Sequence, residues 1–513
     1  MKLKAYYPIV LALVLAAGLF IGNKLGNPFY TGNKVKATNL NQYNKLTEVI
    51  SYIEQQYVDK IEAEELVDVS IEELLHHLDP HSSYIPAEDL NSATEPLEGN
   101  FGGIGIEFHI QNDTIMVVRT IAGGPSGILG MQSGDRITHI EDELVAGTGI
   151  TNTDVMDKLR GEKGTDVNVR VYRRGVSDLI DFHITRNDIP IFSVEVSYMV
   201  DENTGYIKLN RFGAKTYDEF LESLEKLHQE GLQNLIIDLR GNPGGYLEAA
   251  TKISDEFLDD GKMIVYTEGK ASKKRTYTAT SGGDFKTGNL VVLIDEGSAS
   301  ASEILAGALQ DWDRATIIGR RSFGKGLVQE QTRFPDGSAL RLTVSRYFTP
   351  TGRSIQKPYT DDVDAYNNEL LERYIDGELN NVDSISFPDS LKYETPKGKV
   401  VFGGGGIMPD IFVPLDTTGT SSYYNKVAAQ GLIVQYAYDY VDANRSELND
   451  YSSYSHFNSN FQITDAVLSN FISYAENNGV KPIGKEIEIS DELIRTRIKA
   501  FISRQLYQNL GFY

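Results

Sequence analysis

Residues 289–312, NLVVLIDEGSASASEILAGALQDW, decide the fold of this chain. Asn289–Ile294 is an almost wholly apolar run with the length of one strand, and the apolar residues after Glu303 recur at three- and four-residue spacing, which predicts a helix. An apolar strand followed at once by a helix is typical of a parallel sheet covered by helices. The turn between the two elements carries three serines, Ser298, Ser300 and Ser302.

The same strand–turn–helix pattern occurs upstream. Leu235–Leu239 is an apolar strand interrupted only by Asp238, and a helical pattern follows at about residues 247–258. Further on, Ala339–Phe348 alternates apolar and polar residues, which predicts another strand. We therefore predict a mainly parallel α/β core over residues 189–415, with a polar, acidic, tyrosine-rich insertion at about 356–400.

The flanking segments predict further domains. Residues 46–78 carry helical spacing and, with a linker before them, predict an N-terminal helical region over 27–95. Residues 96–188 contain short strands and glycine-rich turns, and residues 416–513 are mostly amphipathic helix. The predicted fold is a multidomain α/β (α+β) protein with helical regions at both ends.

The N-terminus has the parts of a secretory signal. Lys2 and Lys4 precede an apolar run from Ala5 to Gly22, and a basic start before an apolar stretch is typical of exported chains. The run is about as long as the shortest spanning helices and lacks a clear cleavage site. Residues 1–26 are therefore predicted to be an uncleaved anchor, with a cleaved signal peptide as the alternative. The lysines place this end in the cytoplasm and the body of the chain outside it.

Composition excludes several classes of function. The chain has 513 residues, with 49 Lys and Arg against 72 Asp and Glu, and its formal net charge of −23 argues against a nucleic-acid partner. Cysteine is absent, which removes disulfides, thiolate metal sites and a cysteine nucleophile. His76, His77 and His81 resemble a metal cluster, but Pro80 breaks the helix between them, so we predict no metal and no cofactor.

Chemistry is predicted where two strand–helix turns meet. Asp238–Gly245 and Asp295–Glu303 follow parallel strands, so both lie at one edge of the sheet, and each opens a helix whose N–H groups and dipole favour negative charge. Such an arrangement suits an oxyanion. The three serines are candidate nucleophiles, although Ser300-Ala301-Ser302-Glu303 also matches a capping box in which Ser300 only caps the helix.

A lysine downstream is a candidate base. Lys325 lies between two glycines, and Leu327 and Gln329 are predicted on the same face of a following strand. A buried lysine loses its proton easily and can activate a serine, whereas a solvated lysine on a hairpin would have no such role. Two other hydrolase schemes fit less well. No histidine accompanies a GxSxG motif, and for a β-lactamase-type enzyme the S-x-x-K at Ser223 lacks an S-x-N before the K-T-G at 286–288, while those at Ser322 and Ser354 follow the K-T-G.

These motifs resemble one known family. Ser298–Ile304, Ala306–Asp311 and Phe323–Gln329, with Asp238–Gly245 before them, are similar to the carboxyl-terminal processing peptidases, also called tail-specific proteases. The segment LDPHSSY at 78–84 resembles that family's N-terminal region. The resemblance implies a serine endopeptidase with a Ser–Lys dyad.

The resemblance also implies a role for each residue that matches a functional position of the family. These residues are the nucleophile Ser300, the general base Lys325, the lysine-orienting Gln329, the oxyanion donors Gly244 or Gly245 with the N–H of Ala301, and, as a structural acid, Asp311.

Residues 96–188 resemble a PDZ domain. The loop at Gly102, Gly103, Ile104 and Gly105 matches the PDZ loop that binds a peptide carboxylate, and residues 129–135 match a second common PDZ stretch. In that fold an extended peptide adds to a sheet edge, and backbone N–H groups hold its carboxylate. The alternative is that these glycines only shape a hairpin.

The predicted function is therefore C-terminal processing. The PDZ-like domain would bind the apolar C-termini of protein or peptide substrates, and the peptidase core would cleave them. The enzyme would work on the periplasmic side of a bacterial inner membrane, anchored by its N-terminal segment or free if that segment is cleaved. The alternative is an inactive PDZ scaffold or an adaptor for another protease. A homodimer or higher oligomer, and an activating partner, stay open.

Overall fold

The computed structural model describes residues 40–359 and 363–513. The chain divides into two compact units, residues 1–71 and 72–513. The predicted anchor at 1–26 lies outside the described residues. Within those residues, no helix combines the length and the apolar character needed to cross a membrane.

The N-terminal region is helical, as predicted. Its elements are α1 Leu40–Gln56, α2 Ala63–His76, β1 Ser83–Ile85 and α3 Leu90–Glu98. Asp79 organises the turn between α2 and β1, because its carboxylate accepts hydrogen bonds from the N–H groups of His81 and Ser82. The same carboxylate accepts a hydrogen bond from the hydroxyl of Thr343, which fixes the turn to a strand of the core.

The PDZ-like region, residues 96–188, is built on an antiparallel sheet. Its elements are β2 Asn100–Gly103, β3 Ile106–Ile110, β4 Ile115–Thr120, α4 Pro125–Ile128, β5 Arg136–Ile140, β6 Glu143–Leu144, α5 Asn152–Leu159, β7 Asp166–Tyr172 and β8 Ile180–Thr185. Strand β9 Asn187–Pro190 follows at its C-terminal boundary. The strand order β3-β4-β5-β7-β8 leaves β3 at one edge of the sheet. Gly105, just before β3, has a φ of +75°, a conformation that favours glycine.

The core contains the predicted mainly parallel α/β sheet and a second sheet, which is antiparallel. Its elements are β10 Val194–Met199, β11 Thr204–Leu209, α6 Thr216–Gln229, β12 Asn234–Asp238, α7 Leu247–Asp255, β13 Met263–Glu268, β14 Arg275–Thr278, β15 Asn289–Ile294, α8 Ala301–Asp311, β16 Thr316–Gly319, β17 Leu327–Arg333 and β18 Ala339–Phe348. Strands β10, β11, β12, β15 and β16 lie side by side in that order, and only the β10–β11 pair is antiparallel. The ends of β12 and β15 therefore meet at one edge, where the two predicted turns begin.

Helix α8 is buried along its whole length. Its small residues allow this, since a side chain at Gly307 would lie only 3.0 Å from a Thr349 methyl carbon. At its C-terminal end Asp311 forms a fully buried ion pair with Arg353, 2.7 Å long, and accepts hydrogen bonds from the N–H and hydroxyl of Thr351. These contacts fix the helix whose N-terminus opens the candidate site.

The predicted insertion at 356–400 is folded against the core. It contains α9 Val363–Ile375, two 3-10 helices at Val382–Ser384 and Asp389–Leu391, β19 Lys392–Glu394 and β20 Val400–Phe402, and β21 Ile411–Phe412 then joins the parallel sheet beside β16. Two of its acidic residues form ion pairs with buried or half-buried bases. Glu369 lies 2.8 Å from Lys357 Nζ, and Glu378 lies 2.7 Å from both Arg321 and Arg373.

The C-terminal region is helical, as predicted, and has its own apolar core. Its helices are α10 Ser422–Ala429, α11 Leu432–Leu448, α12 Tyr454–Asn460, α13 Asp465–Asn477 and α14 Gly484–Tyr507, followed by a 3-10 turn at Gln508–Gly511. Tyr438 of α11 packs on Met116 and Val118 of the PDZ-like sheet, and Asp442 pairs with Arg136 at 3.0 Å. Met116 and Val118 alternate along β4 with residues of the PDZ-like core, so α11 covers the opposite face of that sheet.

Candidate active site

Two of the three serines in the second turn are structural. The Ser298 hydroxyl donates a hydrogen bond to the carbonyl of Leu239 at 2.8 Å, and the Ser302 hydroxyl donates to the carbonyl of Asn242 at 2.9 Å. Both side chains are buried, and both tie the turn after β15 to the turn after β12. Ser300 therefore remains as the serine that can do chemistry.

Ser300 directly precedes α8 and has an unusual backbone conformation, with φ 55° and ψ −113°. A residue that caps a helix normally has an extended backbone with negative φ. A non-glycine residue in such a sparsely populated region costs of order 1–3 kcal/mol, and residues of this kind cluster at functional sites. The conformation therefore favours a chemical role for Ser300 over capping alone.

Glu303 connects Ser300 to the loop that carries Lys325. Its Oε2 accepts hydrogen bonds from the N–H of Ser300 at 2.8 Å and from the N–H of Lys325 at 2.9 Å. Its Oε1 accepts from the N–H of Gly324 at 2.7 Å and from the Ser322 hydroxyl at 2.5 Å. Burial raises the pKa of the Glu303 carboxyl, and these four donors act against that rise by favouring the charged form. Sequence reasoning missed this role, although the S-x-x-E spacing was its signal.

The main chains of Ser300 and Lys325 have a second common partner. The hydroxyl of the buried Tyr347 lies 3.1 Å from the carbonyl oxygen of Ser300 and 2.8 Å from that of Lys325. The tyrosine lies on the apolar–polar strand β18, and nothing in the alternating pattern distinguished it from a core residue.

Lys325 is not a solvated hairpin lysine. Burial lowers the pKa of its amine, and the positive charge of Arg341 lowers the pKa further, while Asp79 and Glu303 raise it. Its Nζ donates a hydrogen bond to Oε1 of Gln329 at 3.1 Å. The amine is therefore held by a neutral acceptor in surroundings that favour loss of its proton.

A β-bulge sets the position of Gln329. Val328 pairs with Ser345, but Gln329 pairs with Thr343, so Val344 of β18 is left without a partner in the ladder. Bulges of this kind re-aim side chains next to active sites. The bulge accompanies the approach of Gln329 to Lys325.

A cleft of about 500 Å³ brings the predicted residues together. Its lining includes Ser300, Lys325, Gln329, Gly244 and Gly245. A side-chain carbon at Gly244 would lie 2.7 Å from Cβ of Ser300 and 2.8 Å from the nitrogen of Ala301, so the glycine keeps the space over that N–H open. The Gly244 N–H itself donates to Oδ1 of Asn242 at 2.9 Å, which leaves Gly245 as the better second donor.

Comparison with known proteins identifies the family. A model of peptidase family S41 matches residues 203–365, a model of the N-terminal domain of the activating protease CtpB matches residues 16–89, and a model of a family of unknown function matches residues 423–508. The carboxy-terminal-processing protease of Bartonella bacilliformis is 37% identical over 323 residues, covering 62% of this chain and 74% of that protein. This chain belongs to peptidase family S41.

A second sequence relative agrees with the S41 assignment. The carboxy-terminal processing protease CtpA of Bacillus subtilis is 34% identical over 359 residues, covering 69% of this chain and 75% of that protein. Among solved structures, a photosystem II D1 C-terminal processing protease gives a TM-score of 0.38 at 24% identity, covering 73% of this chain and 93% of that chain. The two sequence relatives show that this S41 chain is a protease similar to carboxy-terminal-processing proteases.

Two predicted groups of residues lie outside the S41 cleft. Asp311 is at the far end of α8, paired with Arg353, and does not line the cleft. Gly102 and Gly103 belong to β2, and the carbonyl oxygens of Ile104 and Gly105 accept main-chain hydrogen bonds. This loop leads directly into the edge strand β3 of the PDZ-like region.

Replacing Arg341 with methionine is expected to move the acid limb of the pH–rate profile to higher pH, by up to about one pH unit. Removing the positive charge raises the pKa of Lys325, so more of the predicted base is protonated at neutral pH and the rate there should fall. The measurement is kcat against pH. Arg333, which lines the same cleft, is the matched control, and Arg333→Met should leave the acid limb in place. An unchanged limb in Arg341→Met would contradict the expectation.

Proposed function

We propose that this chain is a serine endopeptidase of the C-terminal processing type, with Ser300 as nucleophile and Lys325 as general base. The observation that carries the proposal is that Ser300 and Lys325 line the same cleft. Ser300 is the serine whose side chain lines the cleft, and it shares the cleft with an amine whose pKa burial has lowered. The N-terminus of α8 supplies the positive end of a helix dipole at the same place.

The proposed reaction uses the lysine twice. Neutral Nζ of Lys325 takes the hydroxyl proton of Ser300 while Oγ bonds to the carbonyl carbon of the scissile peptide. The oxyanion that forms is held by the N–H groups of Ala301 and Gly245. As the C–N bond breaks, Lys325 gives the proton to the leaving amine, and an acyl-enzyme remains. Water, deprotonated by the same lysine, then attacks the ester, releasing the carboxylate product and returning the proton to Ser300.

The proposed tail-binding site is the edge of the PDZ-like sheet. Strand β3 pairs with β4 and is the outermost strand of the sheet as described, so its free main-chain groups can pair with an extended peptide. The loop at Gly102–Gly105 lies directly before this strand and would hold the terminal carboxylate. The half-buried apolar residues of β3, Ile106, Phe108 and Ile110, would contact an apolar tail.

We also propose that the peptidase is exported and held at the periplasmic side of a bacterial inner membrane by residues 1–26. The basic start and the apolar run support this location. In fractionated cells the chain should sediment with the inner membrane, and added protease should digest it only after the outer membrane is opened. Digestion-resistant chain under those conditions would place its body in the cytoplasm.

The test of the proposed activity uses the full chain with an unstructured protein that ends in apolar residues. Wild type, Ser300→Ala and Lys325→Ala are compared, and fragments are followed by mass spectrometry. Cleavage by wild type alone, weakened when the substrate's last residues are changed to charged ones, is the expected result. Cleavage that survives Ser300→Ala would mean another nucleophile, and equal cleavage of both tails would contradict recognition of apolar termini. An intact substrate with every version would favour the scaffold alternative.

A further inference from the structure

We propose that Tyr366, in the insertion helix α9, is a positioning residue for Lys325 that acts through His81 and Gln329. The inference deepens the proposed Ser–Lys function and rests on it. It assigns a role in the reaction to the acidic insertion and to the LDPHSSY segment, which the fold alone does not explain.

The first step is the orientation of the Gln329 amide. Its Nε2 donates a hydrogen bond to the main-chain carbonyl of His81. A carbonyl oxygen can only accept, so the amide must present its nitrogen to His81 and its oxygen to Lys325. The contact between Oε1 and Lys325 Nζ therefore depends on where the His81 carbonyl lies. With Oε1 accepting one amine hydrogen, the lone pair of the neutral amine is turned away from Gln329.

The second step is how His81 is held. Its N–H donates to Asp79 Oδ1 at 2.8 Å, on the main-chain side. On the other side, its ring nitrogen Nε2 lies 2.8 Å from the hydroxyl of Tyr366, and the two rings meet edge to face with centroids 5.3 Å apart. The ring of Phe323, two residues before Lys325, also meets this imidazole edge to face, with ring centroids 6.5 Å apart. The His81 carbonyl is thus fixed between Asp79 and Tyr366.

Tyr366 is joined through Lys357 to the loop that carries Lys325. The amine of Lys357 lies 3.9 Å from the centre of the Tyr366 ring and donates to the Tyr366 carbonyl at 3.1 Å. The Lys357 N–H donates to the carbonyl of Gly324 at 2.9 Å, and the Gly326 N–H donates to Gln356 Oε1 at 2.8 Å. The residues on both sides of Lys325 are therefore bonded to Gln356 and Lys357, in the irregular segment that precedes α9.

The contacts of His81 persist across the working pH range. Burial, aided by the charge of Lys325, lowers the pKa of His81 to about 4, so its ring is neutral above that pH. Burial raises the pKa of the Tyr366 hydroxyl, so it keeps its proton. The charged groups that act on Lys325 are Arg341, Asp79 and Glu303, and Tyr366→Phe alters none of them.

Loss of the Tyr366 hydroxyl should lower the pKa of Lys325. Without the Tyr366 hydroxyl, His81 and then Gln329 lose their fixed positions, and Oε1 contacts Nζ for less of the time. An ammonium that loses an acceptor has a lower pKa. The acid limb of the profile should therefore move to lower pH while kcat falls, since the neutral amine is no longer aimed at Ser300. A general loss of stability would lower the rate without moving the limb.

Tyr366→Phe in the full chain is expected to lower kcat about 5- to 30-fold, the size expected for one or two lost positioning hydrogen bonds, with the acid limb at lower pH. Tyr374→Phe, on the same helix and 52% exposed, is the matched control and should match wild type. His81→Ala, which keeps the carbonyl but removes the ring bonded to Tyr366, should reproduce the loss. Thermal unfolding of each variant checks that the fold is intact.

The deciding measurement is a double-mutant cycle with Gln329→Leu. If Tyr366 acts through Gln329, Tyr366→Phe should change neither kcat nor the acid limb in the Gln329→Leu chain. A full 5- to 30-fold loss in that background, or a loss with an unmoved limb in the Gln329 chain, would overturn the inference. Activity that survives Lys325→Ala would instead refute the proposed function, so the two failures are distinguishable.

Discussion

Replacing Lys325 with alanine is expected to lower kcat about 10³- to 10⁴-fold and to leave the binding of the substrate tail unchanged. Lys325 shares the cleft with Ser300 and carries the amine whose pKa burial has lowered, so its loss removes the proposed acceptor of the hydroxyl proton. The proposed tail-binding site lies elsewhere, at the edge of the PDZ-like sheet, so the loss should be confined to kcat. Single-turnover cleavage and peptide binding, measured on the same variant, separate the two quantities.

Two companion variants sharpen the result. Lys325→Arg should be as inactive as Lys325→Ala, because a guanidinium stays protonated and cannot act as a base. Ser300→Ala combined with Lys325→Ala should lose no more than either change alone, because the two side chains act as a unit. Losses that multiply in the double variant would mean that the serine and the lysine serve separate steps.

Replacing Gly244 with alanine is expected to lower kcat about 10³-fold. The added carbon would lie 2.7 Å from Cβ of Ser300 and 2.8 Å from the nitrogen of Ala301, so it would displace the nucleophile and obstruct an oxyanion donor together. Loss of one oxyanion donor alone costs about 10²- to 10³-fold. The measurement is kcat, with the affinity for a boronate that mimics the tetrahedral intermediate as a second readout.

Gly241, in the same turn, is the control for backbone strain. It also has a positive φ, 68° against 97° for Gly244, but a side-chain carbon there would meet nothing within 4 Å. Gly241→Ala should therefore lower the free energy of unfolding by about 1 kcal/mol and leave kcat within a few fold. Equal losses of kcat in the two variants would show that strain in the turn, and not obstruction of the oxyanion site, is responsible.

The fold class could be predicted because it depends on local patterns. Apolar runs such as Asn289–Ile294 are tolerated only in strands buried on both faces, and the helical spacing after Glu303 defines the covering layer. The sequence also narrowed the chemistry to a few serines and one lysine. Composition could not separate Ser300 from Ser298 and Ser302. The hydroxyl groups of Ser298 and Ser302 are bonded to main-chain carbonyls that lie 59 and 60 residues earlier in the chain.

The rest of the site depends on contacts between residues distant in sequence. Gln329 and His81 are 248 residues apart, and no local pattern indicates that a main-chain carbonyl of the N-terminal region orients the amide. The insertion was predicted from its acidic composition to be a polar excursion. Two of its acidic residues, Glu378 and Glu369, pair with Arg321 and Lys357, and these pairs could not be foreseen without knowing where the insertion packs.

The carboxylate of Glu303 couples the positions of Ser300 and Lys325. This carboxylate accepts hydrogen bonds from the main-chain N–H groups of Ser300 and Lys325. If either residue moves away, the buried carboxylate loses a hydrogen-bond donor, which costs free energy. Arrangements in which only one of the two groups is displaced should therefore be poorly populated. A ligand that positions either group should therefore position the other, and a titration with such a ligand should follow a single two-state curve.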